Sequence, residues 1–227
     1  MSKGLFLVGT GTDIGKTYVA GLIVKKIQEA GFSSSYYKAA MSGNTRDANG
    51  HLIPGDAKWV KQVSGIAQPL DTMCPFVYEH AYSPHLASRI EGNPVTMSKV
   101  LEGYKNVCDS YDYVTMEGSG GILCPIGYDT ERIQLEDVIQ ACHLPSLLIA
   151  DAGLGTINSV VLTVDYMRSH DLPLSGILYN NFHPGNIMEE DNIHMCEEMT
   201  QIPTIGVVEP NATDLDLSAE KLLALYQ

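Results

Sequence analysis

The stretch Gly9-Thr10-Gly11-Thr12-Asp13-Ile14-Gly15-Lys16-Thr17 follows the apolar run Leu5-Phe6-Leu7-Val8 and opens a helix-patterned run over 19–27. A strand, a glycine-bearing turn and a helix beginning at Gly-Lys-Thr predict a phosphate-binding loop. Its backbone N–H groups and the positive end of the helix dipole would face one anion. Lys16 would bring a mobile positive charge to the terminal phosphates of a nucleotide, and the Thr17 hydroxyl is placed to ligate Mg²⁺. The loop is one residue longer than the common pattern, because Gly9 is its first glycine. The bland alternative is a glycine-rich strand-to-helix turn without a ligand.

Outward from the loop, strand and helix signals alternate. Residues 35–39 read as a second strand that ends at Lys38 and passes into Met41-Ser42-Gly43, followed by a polar loop over 44–54 and a helix over 56–63. Pro69, Pro75 and Pro84 interrupt the next region, before a short helix over 84–90 and one over 97–108 with Thr96 at its N-cap. Apolar runs over 113–116, 147–150, 176–179 and 204–208 read as strands. They end at Glu117-Gly118-Ser119-Gly120-Gly121, Asp151-Ala152-Gly153, Asn180-Asn181 and Glu209-Pro210. Helical patterns lie near 135–142, 158–170 and 186–199, and 217–227 is also helix-like. The prediction is an α/β fold of phosphate-loop NTPase type: a single domain over 1–227, with a mostly parallel sheet and helices on both faces. Ligands of such sheets bind beyond the carboxyl ends of the strands, so the polar strand tips are expected to converge on one rim.

Composition narrows the function. The net charge of −13 repels nucleic acid and anionic membranes, so neither is expected as a partner. No apolar run approaches the roughly 18–20 residues that cross a bilayer, and the N-terminus enters a core strand directly. A cytoplasmic protein without a signal peptide is therefore expected. Cys74, Cys108, Cys124, Cys142 and Cys196 are scattered and form no Cys-x-x-Cys pair, which favours buried thiols over disulfides or zinc. An acidic chain that holds a nucleotide does so through local groups, as a small-molecule enzyme does.

Each strand-tip residue also has a structural reading. Glu117 can hold Mg²⁺ or simply enter a turn, and Asp56 can be a metal ligand or a helix cap. Lys38 ends a buried-looking strand, where an unpartnered lysine is costly, and Ser42 before Gly43 suits a turn.

Taken together, the motifs resemble one family. Residues 9–17 are similar to the Gly-Thr-x-Thr-x-x-Gly-Lys-Thr loop of dethiobiotin synthetases. Tyr37-Lys38 with Ser42-Gly43, Ser83-Pro84-His85, Glu117-Gly118-Ser119-Gly120-Gly121 and Leu154-Gly155-Thr156-Ile157-Asn158 resemble further motifs of that family, in the same order. The resemblance implies ATP-dependent ring closure of 7,8-diaminononanoate with CO₂ or bicarbonate, giving a cyclic urea, ADP and phosphate in biotin biosynthesis. A carbamate and a mixed carbamic–phosphoric anhydride would be its intermediates.

Carried onto matching positions, the resemblance makes Lys38, Lys16 and Thr12 catalytic, and Thr17, Asp56 and Glu117 the Mg²⁺ ligands. Ser42 and Thr12 would hold the reacting end of the substrate. Gly155, Thr156 and Asn158 would bind its carboxylate from the neighbouring subunit of a homodimer, and a helix start suits an anion on physical grounds too. Nucleotide contacts fall on Asp13, Ile14, Gly15, Lys16, Thr17, Tyr18, Asp56, Glu117, Gly118, Ser119, Gly120, Asn180, Asn181, Glu209 and Pro210. Asn180 matches the residue that reads the purine edge, where an amide offers a donor and an acceptor side by side. The chain departs from the family pattern at Asp13, Ala39, Asn181 and Glu209-Pro210-Asn211.

Three other readings compete. Partition and septum-positioning ATPases carry an early lysine in the loop, where this chain has threonine and glycine. Cobyrinate-type amidotransferases need a glutaminase domain for which 227 residues leave no room. A non-catalytic nucleotide-binding module would not need Lys38 and Glu117.

Overall fold

The computed structural model describes residues 2–227. In chain order its elements are β1 (Lys3–Gly9), α1 (Lys16–Glu29), β2 (Ser34–Lys38), β3 (Thr45–Arg46), β4 (Leu52–Ile53), α2 (Gly55–Ser64), α3 (Pro84–Glu91) and α4 (Met97–Cys108). There follow β5 (Tyr113–Glu117), β6 (Pro125–Tyr128), β7 (Arg132–Gln134), α5 (Leu135–Cys142), β8 (Ser146–Asp151) and α6 (Thr156–Ser169). The chain closes with β9 (Leu174–Asn180), α7 (Ile187–Thr200), β10 (Thr204–Val208) and α8 (Ala219–Leu223). Six strands form one sheet in the order β10-β9-β8-β1-β5-β2, and each neighbouring pair is parallel. Parallel neighbours require crossovers, and helices covering both faces allow the interior strands to be apolar almost throughout.

Alternation along the strands divides the interior into two cores. Phe6, Val8, Tyr37, Val114, Met116 and Leu148 belong to one, with Val138 of α5 and Val160 of α6. Leu5, Leu7, Tyr36, Leu147 and Ile149 belong to the other, with Val19 and Ile23 of α1 and Ala57 and Val60 of α2. Lys38 lies two residues beyond Tyr36 and pairs in register with Glu117, so both follow the second set. The same alternation that builds the core therefore sends Lys38 and Glu117 toward α1 and α2.

Strand β2 lies at a sheet edge, where unpaired backbone invites wrong partners. Buried Gln68 covers it: the side-chain oxygen accepts from Tyr36 N at 2.9 Å, and the amide donates to Tyr36 O at 3.0 Å.

Two local expectations are corrected, and a ribbon for which the sequence offered no reading is added. The polar stretch over 44–54 contains the β3–β4 ribbon, closed by the Asp47 carboxylate accepting from Asn49 N and His51 N. A second ribbon, β6–β7, follows the glycine run after Glu117; each of its strands is too short to show a period. The helix-like tail is helical only over α8, because the last residues turn back. There Gln227 O accepts from Gly4 N, and the Tyr226 hydroxyl meets Thr115 Oγ1 at 2.7 Å.

Candidate active site

The loop between β1 and α1 closes on Gly15, whose φ of +86° lies in the left-handed region. A Cβ there would stand 2.1 Å from Asn180 Nδ2, so both backbone and space demand glycine. Lys16 curls back along the loop and donates to Gly11 O at 2.6 Å. Burial pulls its pKa down to about 8, against the opposing pull of the Glu117 carboxylate.

Across from the loop, Glu117 ends β5 and is 2% exposed. Its Oε1 accepts from Thr17 Oγ1 at 2.8 Å and from Lys38 Nζ at 2.6 Å; its Oε2 accepts from the Tyr36 hydroxyl at 2.7 Å. Lys38 Nζ also donates to Asp56 Oδ2 at 2.8 Å. The N-cap position of α2 is Pro54, so Asp56 is not the cap; its side chain turns to Lys38 instead. Burial alone would lower the Lys38 pKa, but Glu117 and Asp56 outweigh it and hold the ammonium above its ordinary range. The lysine is thus a fixed positive charge between two carboxylates.

These groups line a cleft of about 740 Å³. Of the residues singled out from sequence, Thr12, Asp13, Gly15, Lys16, Thr17, Lys38, Ser42, Asp56, Glu117, Ser119 and Gly120 meet there. Ser42 Oγ donates to Tyr82 O at 2.5 Å, and Ser119 Oγ to Ala40 O at 3.0 Å, which ties the strand tips to the loops above them. Gly118 stands behind the cleft, its N–H bonded to Leu7 O. Tyr18 donates its hydroxyl to Ala212 O and pins the segment after β10 to α1.

The remaining candidates lie elsewhere. Asn180 is 3% exposed; its Nδ2 donates to Ile14 O at 3.0 Å, and its Oδ1 is buried without a partner among the described residues. Exposed Asn181 donates to Asp151 Oδ2 at 2.7 Å, and Glu209 and Pro210 are exposed beyond β10. Gly155 and Thr156 border a separate hollow of about 230 Å³ together with Thr10, Gly11 and Ile14. Thr156 Oγ1 is buried without a partner among the described residues, and Asn158 is exposed on the first turn of α6. The carboxylate-binding candidates and the Lys38 cleft therefore do not meet within one chain.

The donor set fits Mg²⁺. Thr17, Asp56 and Glu117 offer only oxygen atoms, and both carboxylates already face one cation, the Lys38 ammonium. Two carboxylates and a hydroxyl, leaving room for phosphate and water, match the habit of Mg²⁺ sites beside nucleotides. Among the described residues there is no cluster of three or more His, Cys, Asp or Glu side chains that could hold a metal by itself.

Sequence reasoning missed Met41, Ala81, Tyr82 and Cys124, which also line the cleft, and Tyr36 beneath it. Tyr36 was open to discovery through the two-residue period from Lys38; the others come from irregular loops that carry no periodic signal.

A family model described as an AAA domain matches residues 3–217. The ATP-dependent dethiobiotin synthetase BioD of Brachyspira hyodysenteriae is 48% identical over 217 residues, which cover 95% of this chain and 96% of that one. The enzyme of the same name from Clostridium perfringens is 43% identical over 216 residues, 95% of this chain and 94% of that one. The chain belongs to the dethiobiotin synthetase family. Ser83 and Pro84, part of the third synthetase motif, line the same cleft as the phosphate loop. Solved structures share the fold alone. A ParA family ATPase from Chlorobium tepidum aligns with TM-score 0.57 at 13% identity, over 99% of this chain and 90% of that one. The MinC:MinD complex of Aquifex aeolicus aligns with TM-score 0.54 at 12% identity, over 92% and 81%. The chain thus shares its fold with a ParA family ATPase and a cell division protein complex, and sequence identities of 13% and 12% separate it from them.

Proposed function

We propose that this chain closes 7,8-diaminononanoate to dethiobiotin with CO₂ and ATP, releasing ADP and phosphate. The observation that carries the reading is Lys38, held between Asp56 and Glu117 in the cleft that also contains the phosphate-loop Lys16. An anionic carbamate must approach an anionic γ-phosphate, so fixed positive charge is needed between them. Lys16 serves the phosphates from the loop, and Lys38 faces the shared space from the tip of β2. Thr12 and Ser42, which both line the cleft, orient the reacting end of the diamine. The second amine then displaces phosphate from the carbamic–phosphoric anhydride and closes the ring. Positioning and electrostatics supply most of such a transfer. Thr17, Asp56 and Glu117 would hold Mg²⁺, which when bound neutralises charge on the phosphates.

The substrate carboxylate is assigned to the start of α6 in a second subunit. In support, Gly155, Thr156 and Asn158 stand outside the cleft, and Leu154, Leu162 and Ile187 expose 90%, 62% and 82% of their surface. Apolar exposure of this kind on neighbouring elements suits a homodimer contact. The two cores share one sheet, which supports residues 1–227 acting as one domain.

With diaminononanoate, bicarbonate, Mg²⁺ and ATP, the purified protein is expected to release phosphate only when the diamine is present. Equal release without the diamine would overturn the reading.

A further inference from the structure

Glu117 has two carboxylate oxygens and the structure uses them differently. Oε1 faces the cleft and accepts from Thr17 and Lys38; Oε2 faces the core and accepts from the Tyr36 hydroxyl at 2.7 Å. Tyr36 is fully buried among the side chains of α1 and α2, two residues before Lys38 on the same face of β2. Its backbone N–H and C=O are both held by Gln68, so the ring has a fixed base. A carboxylate that accepts a hydrogen bond through one oxygen loses its freedom to rotate and presents the other.

We infer that Tyr36 is a positioning residue that locks Glu117 so that Oε1 alone is offered to the cleft. The inference rests on Glu117 being a Mg²⁺ ligand, and it adds that the metal-facing geometry is set from inside the core. Tyr36 does not line the cleft; it acts through Glu117.

The test is Mn²⁺ binding in the presence of a non-hydrolysable ATP analogue, read by electron paramagnetic resonance. Tyr36→Phe keeps the ring and removes only the hydroxyl; Mn²⁺ affinity should fall roughly tenfold, the scale of losses for outer partners of metal ligands. Nucleotide binding in EDTA and the KM for the diamine should stay unchanged while the KM for Mg²⁺ rises. Wild-type Mn²⁺ affinity in Tyr36→Phe would overturn the inference, and so would an equal loss of metal-free nucleotide binding, which marks a packing role. Glu117→Gln separates the two levels. If it too binds Mn²⁺ as the wild type does, the ligand assignment itself fails. If it alone weakens binding, only the role of Tyr36 falls. As a check independent of Tyr36→Phe folding, 3-fluorotyrosine at position 36 keeps the hydroxyl. Its fluorine resonance should move when Mg²⁺ and the analogue are added, and a resonance indifferent to metal would contradict the inference.

Discussion

Lys38 is the residue on which the proposed chemistry turns. A buried ammonium without partners would be costly, and here two carboxylates within 2.8 Å keep it charged. Lys38→Leu should cut diamine-dependent phosphate release by at least about a hundredfold, since it removes a preorganised charge from the transferring group. The variant should remain folded by circular dichroism; near-normal turnover would show that Lys38 has no such role. Gly15 is a different case, because its demand is geometric. Gly15→Ala must place a side chain at φ +86° and displace Asn180 from 2.1 Å. The left-handed conformation alone costs about 1–2 kcal/mol. Loss of ATP affinity by calorimetry, with a lower Tm, is the expected outcome.

At the scale of elements, β2 and the loop above the cleft matter most. Gln68 closes the backbone of the edge strand that carries Lys38. Gln68→Ala leaves two buried backbone groups unpaired and should destabilise the fold by about 1–3 kcal/mol in urea titrations. The wall formed by Ala81, Tyr82 and Ser83 is anchored at one end by Glu91, which accepts from His80 N and meets His80 Nδ1, both at 2.9 Å. Partial burial raises the Glu91 pKa, but the bonds from His80 outweigh it and the net shift is downward from 4.5. A carboxyl whose folded pKa is depressed stabilises fully above its unfolded value and loses that contribution as pH falls through the folded one. Hydrogen exchange in residues 79–83 should therefore accelerate as pH drops below about 4.5, after correction for intrinsic rates, and less so in Glu91→Gln. Equal pH dependence in both proteins would remove Glu91 as the anchor.

At the scale of the whole molecule, the exposed side chains of Leu154, Leu162 and Ile187 make the prediction. Sedimentation should give a dimer, and Leu154→Asp with Ile187→Asp should give a folded monomer with a raised KM for the diamine. A wild-type monomer that is fully active would exclude a shared substrate site.

What could be read in the sequence and what needed the fold divide along the same physical line. Alternation and caps are local, so β1, α4 and α5 were legible, and the phosphate loop was legible from its glycines and its Gly-Lys-Thr ending. The motifs also carried the family, because they record side-chain chemistry directly. Whether Asp56 caps a helix or faces Lys38 depends on where α2 lands against β2, and no local pattern encodes that distance. The two short ribbons escaped for a related reason: they are too short to have a period of their own, and the first is closed by the Asp47 side chain. Only the tertiary structure put Asn180 behind the phosphate loop, set the α6 start apart from the Lys38 cleft, and joined Tyr36 to Glu117. Those relations arise from strands far apart in sequence brought side by side, where register and face decide which groups meet.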